Sequence, residues 1–159
     1  MTVPFRSFLG FSFANCSAKT LVQAFSNRLK QPGFQHVVTL NPEIFSRLNG
    51  FPALKAYIQT HCWCTADGIG IRLISRLTKN GTLKKCAGLD ICDTLLNQPF
   101  TFYFVGADPH SLKECVQNLR QRFPQIRIVG TQDGYFSDDS YSRVIDDIKM
   151  KRPDIIWVG

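Results

Sequence analysis

Short apolar runs that end in glycine, asparagine or threonine alternate with longer amphipathic stretches along the whole chain, and this alternation constrains the fold most. The apolar runs are Arg6–Phe13, His36–Leu40, His61–Thr65, Phe100–Val105, Ile126–Gly130 and Pro153–Val158. Between them, Ser17–Lys30, Asn41–Leu48, Pro52–Gln59, Gly68–Leu77, Ala87–Asn97, Ser111–Phe123 and Asp138–Lys149 read as helices. Ser17 and Asn41 are plausible N-caps, Pro42 suits a first helical position, and Pro32-Gly33 and Asn49-Gly50 are stops. Leu21, Val22, Phe25 and Leu29 form the inward stripe of the first helix; Ile71, Ile74 and Leu77 form that of the fourth. Strand after helix after strand argues for an α/β fold: a largely parallel sheet with helices on both faces. The chain has 159 residues, 44% of them hydrophobic, enough for one domain with a sizeable core, and no linker or repeat interrupts it.

Lysine and arginine number 19 against 12 acidic residues, a net charge of +7. That surplus suits nucleotide phosphates, an acidic membrane surface or nucleic acid without choosing among them. No basic helix with interleaved stacking aromatics stands out, and most of the 13 phenylalanines occupy core-like positions, so nucleic acid is not expected as a partner. No window approaches the roughly 20 apolar residues of a membrane span. The opening residues lack the basic region and cleavage site of a secretory signal, which leads us to expect a cytoplasmic chain with free buried thiols. The six cysteines are scattered without a Cys-x-x-Cys pair. On a strand His61 faces away from Cys62 and Cys64, so no zinc site is expected there.

In open α/β sheets, ligands sit beyond the carboxyl ends of strands. Thr39 and Asn41, Asp67 to Gly70, Gly106, and Gly130 to Tyr135 fall at such ends. Thr65-Ala-Asp-Gly-Ile-Gly-Ile-Arg72 is a strand-to-helix turn whose two glycines permit close backbone approach. A helix starting there aims free N–H groups and the positive end of its dipole at whatever lies above it. Asp67 stands at that mouth as an N-cap, a general base, or both. The loop after this helix is basic, with Lys79, Lys84 and Lys85. Asp90 reads as a capping residue, His36 as structural, Trp63 and Trp157 as core residues, and His110 as solvent-facing. Tyr135 and Phe136 either stack on a base or pack their loop.

Taken together and in order, Val37-Val-Thr-Leu-Asn-Pro42, Ala66-Asp-Gly-Ile-Gly-Ile71, Ala87-Gly-Leu-Asp90, Phe104-Val-Gly106 and Phe123-Pro-x-Ile-x-Ile-Val-Gly-Thr-x-Asp-Gly-Tyr-Phe136 resemble the WecG/TagA/CpsF family of bacterial glycosyltransferases. The resemblance runs from the Arg6 strand to Gly159. It implies a Rossmann-like fold and inverting transfer of N-acetylmannosamine or a related hexose from a UDP-sugar. It also implies a polyprenyl-diphosphate-linked saccharide as acceptor, in teichoic acid or other surface polysaccharide synthesis, with no metal and no cofactor. Asp67 falls on the family's catalytic base. Thr39, Asn41, Gly68, Gly70, Lys85 and Asp90 fall on the substrate side, and Gly106, Gly130, Asp133, Gly134, Tyr135 and Gly159 on the nucleotide side. The implied setting is peripheral, at the inner face of the cell membrane; self-association stays open.

Four features depart from the family pattern. Lys85 stands where arginine is usual, which keeps the charge but loses the bidentate fork. Ala66 replaces a proline and Ala107 a glycine. The family's Gly-Ser-Pro-Lys-Gln-Glu-like loop and C-terminal appendage do not occur in these residues. The alternative expectation is therefore a truncated or catalytically weak UDP-sugar-binding or assembly module. The expected chemistry is simple: one carboxylate removes the proton of an acceptor hydroxyl, while helix N-termini and basic side chains stabilise the departing diphosphate.

Overall fold

A computed structural model describes residues 2–78 and 81–159, which divide into two compact units, residues 1–94 and 95–159. Lys79 lies outside the described residues.

The first unit opens with a hairpin, β1 (Phe5–Phe8) and β2 (Phe11–Ala14), paired antiparallel. The expected single strand over Arg6–Phe13 is thus two strands. Leu9 and Gly10 both take positive φ, 51° and 80°, as a two-residue primed turn requires. α1 (Ala18–Arg28) follows, capped by Ser17, whose Oγ accepts from the Thr20 amide at 3.2 Å. Leu21, Val22 and Phe25 are buried on it, but Leu29, expected inside, sits at its C-cap and is exposed. β3 (His36–Leu40), α2 (Pro42–Arg47), a 3-10 turn (Leu48–Gly50) and α3 (Pro52–His61) lead into β4 (Cys62–Ala66) and α4 (Gly68–Arg76). α5 (Gly88–Leu96) then carries the chain into the second unit.

The sheet order is β1-β2-β4-β3, with β4 parallel to both neighbours. β3 is therefore an edge, and only Leu40 on it is fully buried. Alternation along β4 serves the two faces differently. Cys62, Cys64 and Ala66 join a core of Phe8, Phe11, Phe13, Leu48, Ile58 and Ile71, whereas Trp63 stacks on Phe25 of α1. Helices thus cover both faces of this sheet. Each large core side chain contributes on the order of 1.5–3 kcal/mol on burial.

On α4 the inward residues are Ile71 and Ser75; Ile74 and Leu77, expected inside, are 46% and 86% exposed. The Ser75 hydroxyl accepts from the Leu83 amide at 3.0 Å, which draws the returning loop onto the helix. Gly70 sets the rotation of α4, because a Cβ there would lie 2.5 Å from Pro42 Cγ on α2.

In the second unit, β5 (Thr101–Val105) is the middle strand of a parallel sheet in the order β6-β5-β7, with β6 (Arg127–Gln132) and β7 (Ile155–Val158). α6 (Pro109–Arg122) connects β5 to β6; a 3-10 turn (Asp138–Ser140) and α7 (Tyr141–Lys151) connect β6 to β7. Phe102, Tyr103 and Phe104 are buried. The Tyr103 hydroxyl donates to Asp147 Oδ2 on α7 at 2.7 Å, and Lys151 Nζ donates to the same oxygen at 2.8 Å. Asp154 Oδ2 accepts from both the amide and the hydroxyl of Thr101, which fixes the start of β7 beside β5. No helix among the described residues is long and apolar enough to cross a membrane.

Candidate active site

β3 and β4 are paired so that Thr39 lies opposite Thr65 and Leu40 opposite Ala66, and Asp67 follows where β4 ends. The Asp67 amide donates to Leu40 O at 2.9 Å, pinning the turn to the edge strand. Asp67 occupies the N-cap position of α4 in an extended conformation, yet its side chain makes no cap hydrogen bond to that helix. Its Oδ2 instead accepts from the backbone N–H of Gly88, the first residue of α5, at 3.4 Å. The half-buried carboxylate therefore stands where two helices begin, α4 after it in the chain and α5 across from it.

Gly88 brings a third group to this point. A Cβ on it would lie 3.3 Å from Thr39 Cγ2, 3.5 Å from Asp67 Oδ2 and 3.6 Å from Thr39 Oγ1. Thr39, Asp67 and the Gly88 backbone thus converge on one small space that a glycine leaves open. Gly88 carries no role in the sequence reading; its place inside Ala87-Gly-Leu-Asp90 was the available signal. Thr65 was also missed. Fully buried, its Oγ1 finds no hydrogen-bond partner among the described residues.

The other residues singled out on the substrate side fall around this point in the same unit. Asn41 Oδ1 accepts from the Ile44 amide at 2.8 Å and so caps α2. Gly68 starts α4 with φ 78° and open space beside it. The close approach that Gly70 permits is to Pro42. Lys85 Nζ pairs with Asp90 Oδ2 at 3.1 Å in an exposed ion pair, a class of contact worth about 0–1 kcal/mol. Beneath them, burial together with the neighbouring Cys16, Asp90 and Asp67 pushes the Cys86 thiol up to about 12, which leaves it protonated and inert at neutral pH.

The nucleotide-side residues form a separate group within the second unit. The Gly106 amide donates to Gln132 O, that of Gly159 to Val105 O and that of Gly134 to Ala107 O, at 2.8 to 3.0 Å. Gly106 has φ 132°, and a side chain there would strike the Gly159 backbone. Asp133 Oδ1 accepts from the Tyr135 amide at 3.0 Å, and Tyr135 is 81% exposed, so it does not pack its loop; Phe136 packs on Tyr141 instead. Gly106, Asp133, Gly134, Tyr135 and Gly159 thus gather at the carboxyl ends of β5, β6 and β7. Gly130 does not join them. β6 runs on to Gln132, past the expected end, and leaves Gly130 inside the strand against the Tyr103 ring and Lys151. An open groove of about 550 Å³ lies along α6 and β6, with Lys113, Arg120 and Asp133 among its lining residues.

His110 is exposed, as read, whereas Trp63 and Trp157, expected in the core, are half-buried. No group of three or more His, Cys, Asp or Glu side chains among the described residues could hold a metal ion.

The chain matches the family model described as the glycosyl transferase WecG/TagA/CpsF family over residues 6–159. It belongs to that family. Two similar proteins are each named N-acetylglucosaminyldiphosphoundecaprenol N-acetyl-beta-D-mannosaminyltransferase. The Bacillus spizizenii protein is 31% identical over 127 residues, covering 77% of this chain and 49% of the relative. The Bacillus subtilis protein is 30% identical over 132 residues, with the same two shares. The chain therefore spans about half the length of these WecG/TagA/CpsF relatives. The matched region takes in both the Asp67 turn and the glycine cluster of the second unit.

Proposed function

We propose that this chain carries sugar-transfer chemistry of the WecG/TagA/CpsF kind. A hexosamine-type sugar, N-acetylmannosamine or a relative, passes from a UDP-sugar to a polyprenyl-diphosphate-linked saccharide, with inversion at the transferred carbon. The reaction belongs to cell-surface polysaccharide or teichoic acid synthesis and takes place at the inner face of the membrane. The two relatives, named for a mannosaminyl donor group and a diphosphoundecaprenol acceptor, support the substrate class.

The observation that carries the mechanism is the orientation of Asp67. Its carboxylate leaves α4 uncapped and turns to Gly88, beside Thr39. As base, Asp67 takes the proton of the acceptor hydroxyl while that oxygen bonds to the anomeric carbon. The bond from that carbon to the diphosphate breaks, and UDP leaves with the electron pair. The Gly88 N–H holds the base in one orientation, and Thr39 Oγ1 hydrogen-bonds a sugar hydroxyl, a role its nearness to Gly88 beside Asp67 supports. The glycine-rich strand ends of the second unit bind the nucleotide, with the exposed Tyr135 ring available for stacking on the base.

UDP release by the purified chain, given UDP-N-acetylmannosamine and a lipid-linked N-acetylglucosamine acceptor, tests this reading. Asp67→Asn lowers kcat by about 10²–10⁴ if the carboxylate is the base. Full turnover in that variant refutes the role. UDP binding by calorimetry without turnover in the unaltered chain establishes the binding-module alternative instead.

A further inference from the structure

Two threonine hydroxyls on one face of the first sheet have no hydrogen-bond partner among the described residues, and only one of them can be reached from outside. Thr39 on β3 and Thr65 on β4 are register partners in a parallel pair, so their side chains project from the same face. That face is the one Trp63 occupies against α1; Cys64 and Ala66, on the opposite face, join the core. Thr65 is fully buried and its Oγ1 is unpaired. Thr39 Oγ1 makes no hydrogen bond among the described residues either, but Thr39 is half-buried and borders the space that Gly88 leaves beside Asp67.

A buried hydroxyl without a partner is destabilising, and valine, of the same shape, suits a strand and carries no such group. Threonine at position 65 therefore calls for a partner that the described residues do not supply. Being fully buried, Thr65 can touch no ligand directly. What can reach it is Thr39. Neighbouring strands lie about 4.8 Å apart, a spacing at which paired threonines hydrogen-bond across a sheet. One staggered step about χ1 turns the Thr65 hydroxyl towards its neighbour or away from it.

We infer that Thr65 is a positioning residue for Thr39: when a sugar enters beside Asp67, the Thr65 hydroxyl donates to Thr39 Oγ1, and Thr39 presents its own hydrogen to a sugar oxygen. A threonine hydroxyl has one hydrogen and two lone pairs. With a lone pair of Thr39 engaged from behind, its hydrogen points into the space beside Gly88 in one direction rather than several. The unpaired hydroxyl of the free chain gains its partner only with substrate in place. The inference rests on the proposed contact between Thr39 and a sugar hydroxyl, and it adds the buried group that aims that contact.

The test sets stability against activity in three variants of the full chain. Thr65→Val raises the melting temperature by at least about 2 °C, because the unpaired hydroxyl is gone, yet lowers kcat/KM for UDP release roughly tenfold. Thr65→Ser loses a buried methyl group and melts lower, yet restores most of the activity, because the hydroxyl is back. A residue that acted only through packing would make activity follow stability; here the two run in opposite order. In a Thr39→Val background, Thr65→Val costs no further activity. The inference is overturned by a Thr65→Val protein as active as the parent, or by one that melts lower or fails to fold, since the hydroxyl would then have a partner already. A Thr65→Ser protein as impaired as Thr65→Val overturns it too, as does an undiminished tenfold loss in the Thr39→Val background.

Calorimetry separates this inference from the transferase reading. UDP, UDP-N-acetylmannosamine and a soluble N-acetylglucosamine diphosphate acceptor are titrated separately. Thr65→Val weakens binding of one of the two sugar compounds roughly tenfold and leaves UDP bound as before. If the parent shows that contrast but no turnover, the transferase reading fails and the threonine pair stands. If the parent turns over and Thr65→Val binds and turns over equally well, the transferase reading stands and the pair fails. A parent that binds neither sugar compound overturns both.

Discussion

Replacing Gly88 with alanine tests the convergence of Thr39, Asp67 and α5 more sharply than removing any of the polar groups, because it adds one methyl and deletes no hydrogen bond. Gly88 begins α5, and its φ lies outside the left-handed range that would strain a substitution. The change alone therefore stabilises the fold by about 0.4–1 kcal/mol through the unfolded chain. Against this, the new Cβ sits 3.3 Å from Thr39 Cγ2, slightly tight, so that side chain must move by a few tenths of an ångström. The two effects nearly cancel. For a chain of this length the melting temperature should move by no more than about 4 °C in either direction.

Activity responds differently. The methyl group would lie 3.5 Å from Asp67 Oδ2, in the space that the proposed transfer requires a substrate hydroxyl to enter, since a base acts within about 2.6–3.2 Å of the hydroxyl it deprotonates. Displacing a reacting atom by about 1 Å costs on the order of 10²-fold. The expected result is a normal unfolding curve with kcat/KM for UDP release lowered about a hundredfold. A folded Gly88→Ala protein with full activity refutes the placement of the reacting hydroxyl between these groups. A protein that no longer folds refutes the local packing as described.

Gly106→Ala has the opposite profile: positive φ and the Gly159 backbone both oppose a side chain, so the second unit should lose stability by at least about 1–3 kcal/mol in urea unfolding. Thiol labelling under native conditions should find Cys115 readily, since it is exposed, whereas Cys64 and Cys86, each raised to about 12 mainly by burial, should react only after unfolding. Hydrogen bonds hold Asp108 and Asp147 below the usual carboxylate range: the former accepts from Ser111 and His110, the latter from Lys151 and Tyr103. Both therefore add stability above the unfolded carboxylate value, and that stability is lost as pH falls through their folded values; an Asp108→Asn, Asp147→Asn double variant should flatten the acid limb of a denaturation profile. Tyr103 is pushed the other way, up to about 12, by burial and by Asp147. Its contribution is complete below about pH 10 and is lost as pH rises towards 12, which Tyr103→Phe should abolish.

Most elements could be read in the sequence because their punctuation is local. Ser17, Asn41 and Pro42 mark helix starts by chemistry that needs no distant partner. Where the structure departs from the reading, something distant decided. The turn at Leu9–Gly10 sits inside an unbroken apolar run, and leucine gives no sign that its backbone will adopt positive φ. On α4, apolar residues occur nearly all round the helix, so periodicity could not supply the phase; contact between Gly70 and Pro42 supplies it, and Ile74 and Leu77 face outward as a result. The narrow space beside Gly88 is bounded by Thr39 and Asp67, which reach it only through the pairing of β3 with β4 and the return of α5. Gly130 sits at the end of an apolar run, like a site loop, yet the bulky Tyr103 ring beside it explains the glycine by packing.

The first unit departs from its own local habits at Asp67. Among the described α-helices, four start from a polar N-cap in an extended conformation: Ser17, Asn41, Asp67 and Asp108. Three of these side chains accept hydrogen bonds from their own helix, each cap of this type worth about 1 kcal/mol. Asp67 forgoes that bond. Two residues earlier, Thr65 keeps a fully buried hydroxyl that finds no partner among the described residues, at a cost on the order of 1–3 kcal/mol. A missing cap alone has many explanations, and so has a single unsatisfied hydroxyl. Both within one turn, beside a glycine that keeps the neighbouring space empty, are hard to reconcile with selection for stability alone. They fit a place held ready for a ligand, where breaches of local rules are expected to collect.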